Sequence, residues 1–506
     1  LLLGLPQQTG ITAGLNKIYL RGNSWDWYGQ DDWRARSNLT ILYGLRWEYF
    51  SPYSEKNGRL VNLDLTESAN SLAISNVCAT AAAGCQAVTP GTLVKPDKSM
   101  YSPRIGLAWR PTYKFVKDFV VRAGYGINYN TGQYSRFAEL LAFQQPFAVT
   151  QTNTISTLNS PTTCTFANMT LTNGFGCSTQ TTQSNYGVDP NYRLGMVEIW
   201  SLDIQRTVGM GVVLNVGYNG AMGSNLDIVR APNRTASGIL NPASGQFRYE
   251  DSLGYSRDNA LAINARKRLQ KGISLQATYT YSHSIDDASS IGGSGNFIAQ
   301  NDRDLGAEES NSSFDRRHVL NGNFILELPF GPNRAFLNKG GVLSKIMDGY
   351  SVSGNYTFAT GGWATPEYAG TSAEIAAGAG NSLRPNLVPG QSIQGTGSLK
   401  NWFNKGAFVG DCASTNNAPY CLQSGTYGNA SRNSIQLPGT VSVSGSLSRT
   451  INLGDTRSFE ARINANNVFN TVQYSGVYTT INSPTFGQVS SAAAMRSLTY
   501  QAMFRF

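Results

Sequence analysis

The chain has 506 residues, and only 14% of them are charged, a low fraction for a soluble domain. The formal net charge is +9, but the 40 lysines and arginines are scattered, which excludes the basic clusters of a nucleic-acid-binding protein. A mean hydropathy of −0.26, with no apolar run of about 18 residues, excludes a bundle of membrane-spanning helices. The 53 glycines and 25 tyrosines favour a large β-protein.

Alternation of apolar and polar residues with a period of two predicts strands along most of the chain. In the segment 39–49, Leu39, Ile41 and Tyr43 begin a continuous apolar face. About 11 residues of such alternation suffice for a strand to cross a bilayer at a tilt. The pattern predicts about 13 strands, near residues 18–33, 38–50, 101–110, 119–130, 194–206, 211–221, 259–268, 272–283, 317–329, 349–361, 440–450, 458–469 and 496–506.

The connections between these strands alternate in length. Short ones are expected at 34–37, 111–118, 207–210, 269–271 and 451–457, and the 330–348 link takes a short-turn position. Long, structureless ones are expected at 51–100, 131–193, 222–258, 284–316, 362–439 and 470–495. Short turns on one side and long loops on the other are typical of an outer-membrane barrel.

Charged residues lie on the face opposite the apolar one, as they would in a barrel whose apolar face meets lipid. A soluble β-sandwich has the same partition, so alternation alone leaves both folds open. In a barrel these charges face the lumen, and a buried arginine needs an acceptor such as Glu48 or Glu460. The predicted lumen-facing residues are Arg46, Glu48, Arg104, Arg122, Arg266, Glu460, Arg462 and Arg505.

The last strand favours the barrel. Leu498, Tyr500, Ala502 and Phe504 share a face with the aromatic final residue, Phe506. This looks like the terminal strand by which bacterial outer-membrane proteins are recognised for insertion. An ordinary edge strand that ends in phenylalanine is the alternative.

The six cysteines fall in three local pairs within the long connections, without a CxxC motif or a neighbouring histidine. This arrangement predicts disulfides in an oxidising compartment rather than a zinc site. The predicted pairs are Cys78–Cys85, Cys164–Cys177 and Cys412–Cys421.

No catalytic motif is present, and the sequence predicts neither an enzyme nor a cofactor. Of the two histidines, His283 and His318, the second follows Asp315-Arg316-Arg317, where an ion-pair network at the barrel rim is expected. The 284–316 loop is rich in carboxylates, which suits either a calcium site or, as the favoured interpretation, a solvated acidic loop. Its acidic residues are Asp286, Asp287, Asp302, Asp304, Glu308, Glu309 and Asp315.

Aromatic residues in the long loops are candidates for stacking on a captured ligand. Structural packing of the loops is the alternative explanation, and the favoured one. The candidates are Trp363, Tyr368, Trp402, Phe403, Tyr420 and Tyr427.

Several motifs, in their order and spacing, resemble the Oar-like branch of TonB-dependent outer-membrane transporters. The resemblance covers nearly all of the chain except the loops. The motifs are 28–33 (YGQDDW) leading into 38–48, 101–109 (YSPRIGLAW) with 121–126 (VRAGYG), 279–288 (YTYSHSIDDA), 314–318 (FDRRH) with 327–331 (ELPFG), and 464–470 (NANNVFN).

The resemblance implies an antiparallel 22-strand barrel with a plug and a TonB box, of which residues 1–506 would be the C-terminal part. The signal peptide, plug and TonB box are then expected outside this chain, and some lumen arginines would pair with plug carboxylates. The implied partners are outer-membrane lipid, the TonB complex and a small solute such as an oligosaccharide, peptide or metal chelate. The implied function is active uptake; the alternatives are a passive pore or surface adhesin, or a secreted carbohydrate-binding β-protein.

Overall fold

A computed structural model describes residues 8–14, 17–68, 71–112, 118–154, 170–174, 186–236, 238–241, 247–288, 299–332, 334–368, 383–454 and 456–506. One large antiparallel sheet dominates it, and its strands pair in chain order. The strands are β1 Ser24–Arg36, β2 Leu39–Phe50, β3 Met100–Trp109, β4 Phe119–Tyr129, β5 Met196–Val208, β6 Val212–Arg230, β7 Arg248–Gln270, β8 Ile273–Asp286, β9 His318–Glu327, β10 Tyr350–Ala359, β11 Thr440–Asn452, β12 Ser458–Asn466 and β13 Ser497–Arg505.

All of the predicted strands are present, and the connections alternate between short and long as expected. A two-residue turn joins β7 and β8, where Lys271 and Gly272 take φ angles of 54° and 77°. Positive φ at both positions is the requirement of a hairpin turn whose twist matches the strands, and glycine meets it without steric cost. The 330–348 link differs from a simple turn because it contains the short helix α2, Val342–Met347.

The predicted long loop at 222–258 is wrong, because β6 and β7 continue through most of it. The two strands are 19 and 23 residues long. Register shifts between Gly223 and Leu226 and between Leu226 and Ile228 break the alternation, which hid the extension from the sequence pattern. Since a tilted strand needs only about 9–11 residues to cross a bilayer, β6 beyond Gly223 and the facing part of β7 project past that length.

The pairing register gives the sheet two chemically different faces. On one face, Leu202, Tyr218 and Leu261 lie directly opposite one another on β5, β6 and β7. On the other face, hydroxyl and amide side chains bond across the strands: the hydroxyl oxygens of Ser353 and Ser446 lie 2.8 Å apart. Asn264 likewise donates to Thr278 at 2.6 Å. We call these the apolar face and the polar face.

The exposure of the apolar face distinguishes a membrane sheet from a soluble sandwich. The alternation of apolar and polar residues is the same in both. In a sandwich, the apolar face is buried against a second sheet. Here the mid-strand residues Leu202, Leu320 and Leu447 remain 45%, 36% and 41% exposed. Such a continuous uncovered surface needs an apolar environment outside the chain.

Most of the well-buried apolar core lies in the long connections, not on the sheet. Helix α1, Gln133–Ala142, buries Tyr134, Phe137 and Leu141 against Tyr192 and neighbouring loop residues. A second core, around Phe403, Phe408 and Phe486, lies farther along the chain. For the described parts of the long connections, the expectation of structureless loops is therefore wrong, because these parts fold on cores of their own. We call the folded long connections the loop layer.

Short strands and single turns of helix complete the structure. Among the described residues, no helix is both long and apolar enough to span a membrane. The short strands are Gln8–Ala13 with Val149–Thr154, Leu20–Arg21 with Ser54–Glu55, Val61–Glu67 with Leu72–Cys78 and Gln86–Ala87, Tyr186–Val188 beside β7, Arg234–Thr235 with Gly238–Ile239, Ser310–Asn311 beside β8, Trp363–Ala364 with Ile435–Gln436, Asn386–Leu387 with Phe408–Val409, and Tyr474–Val477 with Val489–Ala492. The part of the chain that the structure describes also contains 3-10 turns at Gly209–Gly211, Leu305–Glu308 and Lys405–Ala407.

Candidate functional site

Two of the three predicted disulfides pin the loop layer. Cys78 and Cys85 are bonded, as are Cys412 and Cys421, with Cα atoms 5.8 and 4.9 Å apart. The third predicted pair, Cys164 and Cys177, lies outside the described residues. Closing short segments in this way reduces the conformational freedom of exposed loops.

The described residues of the 284–316 segment do not form the solvated acidic loop that the composition favours. Asp286, Asp302, Glu308 and Asp315 are buried, while Asp304 and Glu309 are exposed. A buried carboxylate needs a charge partner and hydrogen bonds, and each of the four has an arginine within ion-pair distance. The pairs are Arg432–Asp286 at 2.5 Å, Arg384–Glu308 at 2.6 Å, Arg230–Asp302 at 3.0 Å and Arg317–Asp315 at 3.3 Å.

Three of these arginines come from other segments of the chain, so the ion pairs join separate loops. Arg384 and Arg432 both belong to the long connection before β11, and Arg432 also donates to the backbone carbonyl of Glu308 at 2.9 Å. Arg230, at the end of β6, contacts Glu67 and Asp251 in addition to Asp302. Ion pairs thus connect the segments of the loop layer that extend from the end of β6 to the start of β11.

The histidine and metal expectations have different outcomes. Among the described residues His318 has no ion-pair partner, and its Nδ1 lies 2.8 Å from the hydroxyl of Tyr279. Arg317 and Asp315 do form an ion pair beside it. As for calcium, no three Asp, Glu, His or Cys side chains of the described segments come together in a way that could hold a metal ion.

The six loop aromatics do not form one site. Tyr368 and Phe403 are 1% and 3% exposed and belong to separate apolar cores, so neither offers a ring face to a ligand. Structural packing accounts for these two, and the ligand-stacking expectation is wrong for them. Indole N–H donors fix two others: Trp363 bonds to Asp315 at 3.2 Å and Trp402 to the carbonyl of Gln436 at 2.9 Å.

The remaining two candidates differ in exposure. Tyr420 is 58% exposed, whereas Tyr427 is partly buried against Tyr368 and its neighbours. Burial raises the pKa of the Tyr427 hydroxyl. Tyr420 therefore offers the most accessible ring of the six.

The charges expected in the lumen lie on the polar face, as the register requires. Arg46 contacts Asp26 and lies 3.0 Å from Glu48. Glu460 is flanked by Arg462 and Arg505, the latter at 3.6 Å. The expected acceptors Glu48 and Glu460 are thus in use.

Two further arginines of the polar face have neutral partners. Arg104 donates to the Asn128 side chain at 3.3 Å, and Arg122 donates to Gln205 at 3.0 Å. Arg266 is exposed on the same face, where the register places it opposite Val213 and Gln276.

A cleft of about 400 Å³ opens where the polar face meets the loop layer. Its floor follows one row of the sheet, in which Val197, Gly223, Ser256 and Asp286 lie opposite one another on β5 to β8. Its lining residues are Asn130, Tyr192, Gly195, Val197, Leu226, Asp227, Tyr255, Ser256, Asp286, Asp287, Ala288 and Phe314. No local sequence pattern predicts this cleft.

Asp227 connects the cleft to a buried polar cluster under α1. It accepts a hydrogen bond from the hydroxyl of Tyr192 at 3.2 Å, and behind it Arg136 pairs with Glu250 at 3.2 Å. Burial, followed by repulsion from Glu250, raises the pKa of Asp227 to about 8. Burial also raises the pKa of the neighbouring hydroxyls of Tyr186 and Tyr192.

The cluster predicts that the loop layer loosens as the pH rises. Folded Asp227 keeps its proton up to a pH of about 8, whereas an unfolded aspartate, with a pKa of 3.8, releases it much earlier. The folded state therefore binds more protons between these values, so the stabilisation is complete below pH 3.8 and is lost as the pH rises through 8. We expect faster hydrogen exchange of α1 amides at pH 8.5 than at pH 6, after correction for intrinsic rates.

Two substitutions distinguish this origin from a general effect of pH. Asp227→Asn keeps an acceptor for Tyr192 and should abolish most of the dependence. The exposed Asp304→Asn should leave it unchanged. An unchanged dependence in Asp227→Asn would assign the effect to other groups.

The outer membrane beta barrel domain family has a model that matches residues 1–499. The chain belongs to this family. As an outer-membrane β-barrel domain, it places its short turns on the periplasmic side and its loop layer on the extracellular side, and its apolar face meets lipid. The protein is thus a component of the bacterial outer membrane.

Several solved structures of outer-membrane proteins are similar to the chain at low identity. The outer membrane transporter YddB from Escherichia coli is 10% identical, with a TM-score of 0.43, over 96% of this chain and 55% of its own length. The siderophore receptor PiuA from Acinetobacter baumannii is 9% identical, with a TM-score of 0.42, over 96% of this chain and 43% of its own. The ferric-catecholate import receptor Fiu from Escherichia coli is 9% identical, with a TM-score of 0.42, over 96% of this chain and 45% of its own length.

The chain spans about half the length of these solved structures. A comparison with curated protein sequences gives no match.

Proposed function

We propose that this barrel domain belongs to a TonB-dependent transporter of the Oar-like branch, which takes up a scarce small solute across the outer membrane. The observation that carries the proposal is the cleft, since it lies under a folded extracellular loop layer and opens onto the polar face. A solute held there would already stand at the entrance to the barrel interior. The motif order described above supports the Oar-like assignment.

The polar face would line the interior in this proposal. Its charges at Arg46, Arg104, Arg122 and Arg266 would contact solute, water or a plug. Its many uncharged hydroxyl and amide groups would allow a hydrated solute to pass without strong trapping. Trp363, Trp402, Tyr420 and Tyr427 are the loop aromatics that keep some exposure and stay candidates for initial capture.

The test uses the complete reading frame that contains this chain, produced in outer membranes and purified in detergent. An energised transporter should capture the purified periplasmic domain of TonB from the same cell and should show no steady conductance in planar bilayers. A passive pore would conduct without TonB, and an adhesin would neither conduct nor capture TonB. Either of these results would reject active transport.

A further inference from the structure

The link between β9 and β10, at the periplasmic end of the barrel, is folded. The rings of Phe330 and Phe336 have centroids 5.8 Å apart, and the backbone N–H of Phe336 donates to the carbonyl of Pro329 at 2.9 Å. Helix α2 follows before β10 begins. We call residues 334–348 the rim link, and the structure describes all of them. The rim link is therefore a defined structural element and not a simple turn.

Arg449 holds α2 against the lipid-facing side of the barrel wall. This arginine lies two residues after Leu447 on β11 and opposite Tyr350 on β10, so its side chain starts from the apolar face. Its guanidinium donates to the backbone carbonyls of Lys345, at 2.9 Å, and Asp348, at 3.3 Å, and lies 5.3 Å from the centre of the Tyr350 ring. Carbonyls at a helix C-terminus have no partner within the helix, and Arg449 supplies one. The end of α2 is thus fixed on the apolar face, at the periplasmic end of the strands.

The outer side of α2 is apolar and uncovered. Ser344 is buried, and it marks the side of the helix that faces the barrel. Val342, Leu343 and Ile346 are 77%, 61% and 48% exposed. Ile451, which follows Arg449 on the same face of β11, is also exposed, so the helix extends the surface that meets lipid. An exposed apolar cluster marks an interaction surface, and the position of this one makes lipid its nearest apolar partner.

The charge of the rim link is positive. Its basic residues are Arg334, Lys339 and Lys345, and its single acidic residue is Asp348. Arg334 pairs with Glu327 at 3.3 Å. Lys339 and Lys345 are exposed, and in the described part of the chain neither has an acidic group within ion-pair distance. Lysines beside an exposed apolar cluster are typical of a segment that lies in the membrane interface, where they attract acidic phospholipids.

We propose that the rim link binds an acidic phospholipid of the periplasmic leaflet. Val342, Leu343 and Ile346 enter the boundary between headgroups and acyl chains, and the ammonium groups of Lys339 and Lys345 contact the lipid phosphate. The inference goes beyond solute uptake and does not depend on it, since a passive pore with this link would bind the lipid equally. A periplasmic protein is a weaker fit, because it would have to displace lipid from the continuation of the apolar face.

Competition between two lipids tests the role of the lysines. The full-length protein in detergent is mixed with equal amounts of acidic phosphatidylglycerol and uncharged phosphatidylcholine, and the bound lipids are counted by native mass spectrometry. We expect phosphatidylglycerol to be preferred. The double variant Lys339→Gln/Lys345→Gln should reduce this preference about tenfold or more, because each lysine near an acidic headgroup contributes about fivefold. The matched control Lys98→Gln/Lys400→Gln removes two exposed lysines of the loop layer and should leave the preference unchanged.

Quenching by lipids with brominated acyl chains tests whether α2 enters the membrane. In vesicles of such lipids, the fluorescence that Leu343→Trp adds to that of the unaltered protein should be largely quenched. The fluorescence added by Leu399→Trp, at an exposed leucine of the loop layer, should not be. A heat-dependent gel shift shows that each variant is folded.

Three results would overturn the inference. They are equal binding of the two lipids, an unchanged preference in Lys339→Gln/Lys345→Gln, and unquenched fluorescence from Leu343→Trp. The last result would place the outer side of α2 in the periplasm, where a protein and not a lipid would be its partner.

Discussion

Replacing Arg432 with methionine should destabilise the extracellular loop layer by about 3–5 kcal/mol, the usual cost of removing one partner from a buried ion pair. Arg432 is 1% exposed, and its guanidinium bonds to the Asp286 carboxylate and to the backbone carbonyls of Asp286 and Glu308. Methionine fills a similar volume but leaves Asp286 charged and without its cation. The change should therefore free the connection before β11 from the end of β8.

The effect is measured as the free energy of local opening, from native-state hydrogen exchange of residues 305–311 and 432–436. Arg462→Met is the control, because that arginine is also ion-paired but 43% exposed in its side chain, and it should cost at most about 1 kcal/mol. Adding Asp286→Leu to Arg432→Met should recover much of the loss, since no uncompensated charge then remains. Equal costs for Arg432→Met and Arg462→Met would contradict the role assigned to burial.

The sheet could be predicted from the sequence because each strand is marked by the alternation of its own neighbouring residues. A strand with lipid on one side and polar groups on the other must alternate, and segments such as 39–49 and 440–450 do so without interruption. The same alternation placed Arg46 and Arg462 on the polar face. It failed at 222–258, where bulges around Leu226 reverse the faces and polar residues continue the strands.

The loop layer could not be predicted because its contacts join distant segments. Arg432 and Asp286 are separated by 146 positions, and Arg384 and Glu308 by 76. No local pattern reveals such partners, so carboxylates that look solvated by composition proved to be buried.

The cleft could not be predicted from the sequence either, because distant segments form it. Its charged residues come from the end of β6 and from the end of β8 with the residue that follows it, and the pairing of β6, β7 and β8 brings these strand ends together. Asp287 belongs to the acidic run of the 284–316 segment, whereas no sequence pattern marks Asp227 as part of a site. Its neighbours Tyr192 and Glu250 are contributed by two further segments.

Placing an arginine at Leu447 should destabilise the membrane-embedded barrel by about 2–4 kcal/mol, the cost of this charge on the lipid side at mid-depth. Leu447 lies in the middle of β11, on the apolar face opposite Val352 and Ile463, and is 41% exposed. A bilayer offers no partner for the guanidinium at that depth, so the side chain must reach for the headgroups or thin the membrane.

Ser446, the residue before Leu447, is the control position, because it lies at the same depth on the opposite face. Ser446 points to the polar face, where its hydroxyl lies 2.8 Å from that of Ser353, and Ser446→Arg would enter a hydrated interior. Its cost should be limited to the lost hydrogen bond, about 1 kcal/mol. Urea unfolding of both variants in lipid vesicles gives the comparison. A larger loss for Ser446→Arg than for Leu447→Arg would reverse the assignment of the two faces, and with it the location of the cleft on the solute's side of the barrel wall.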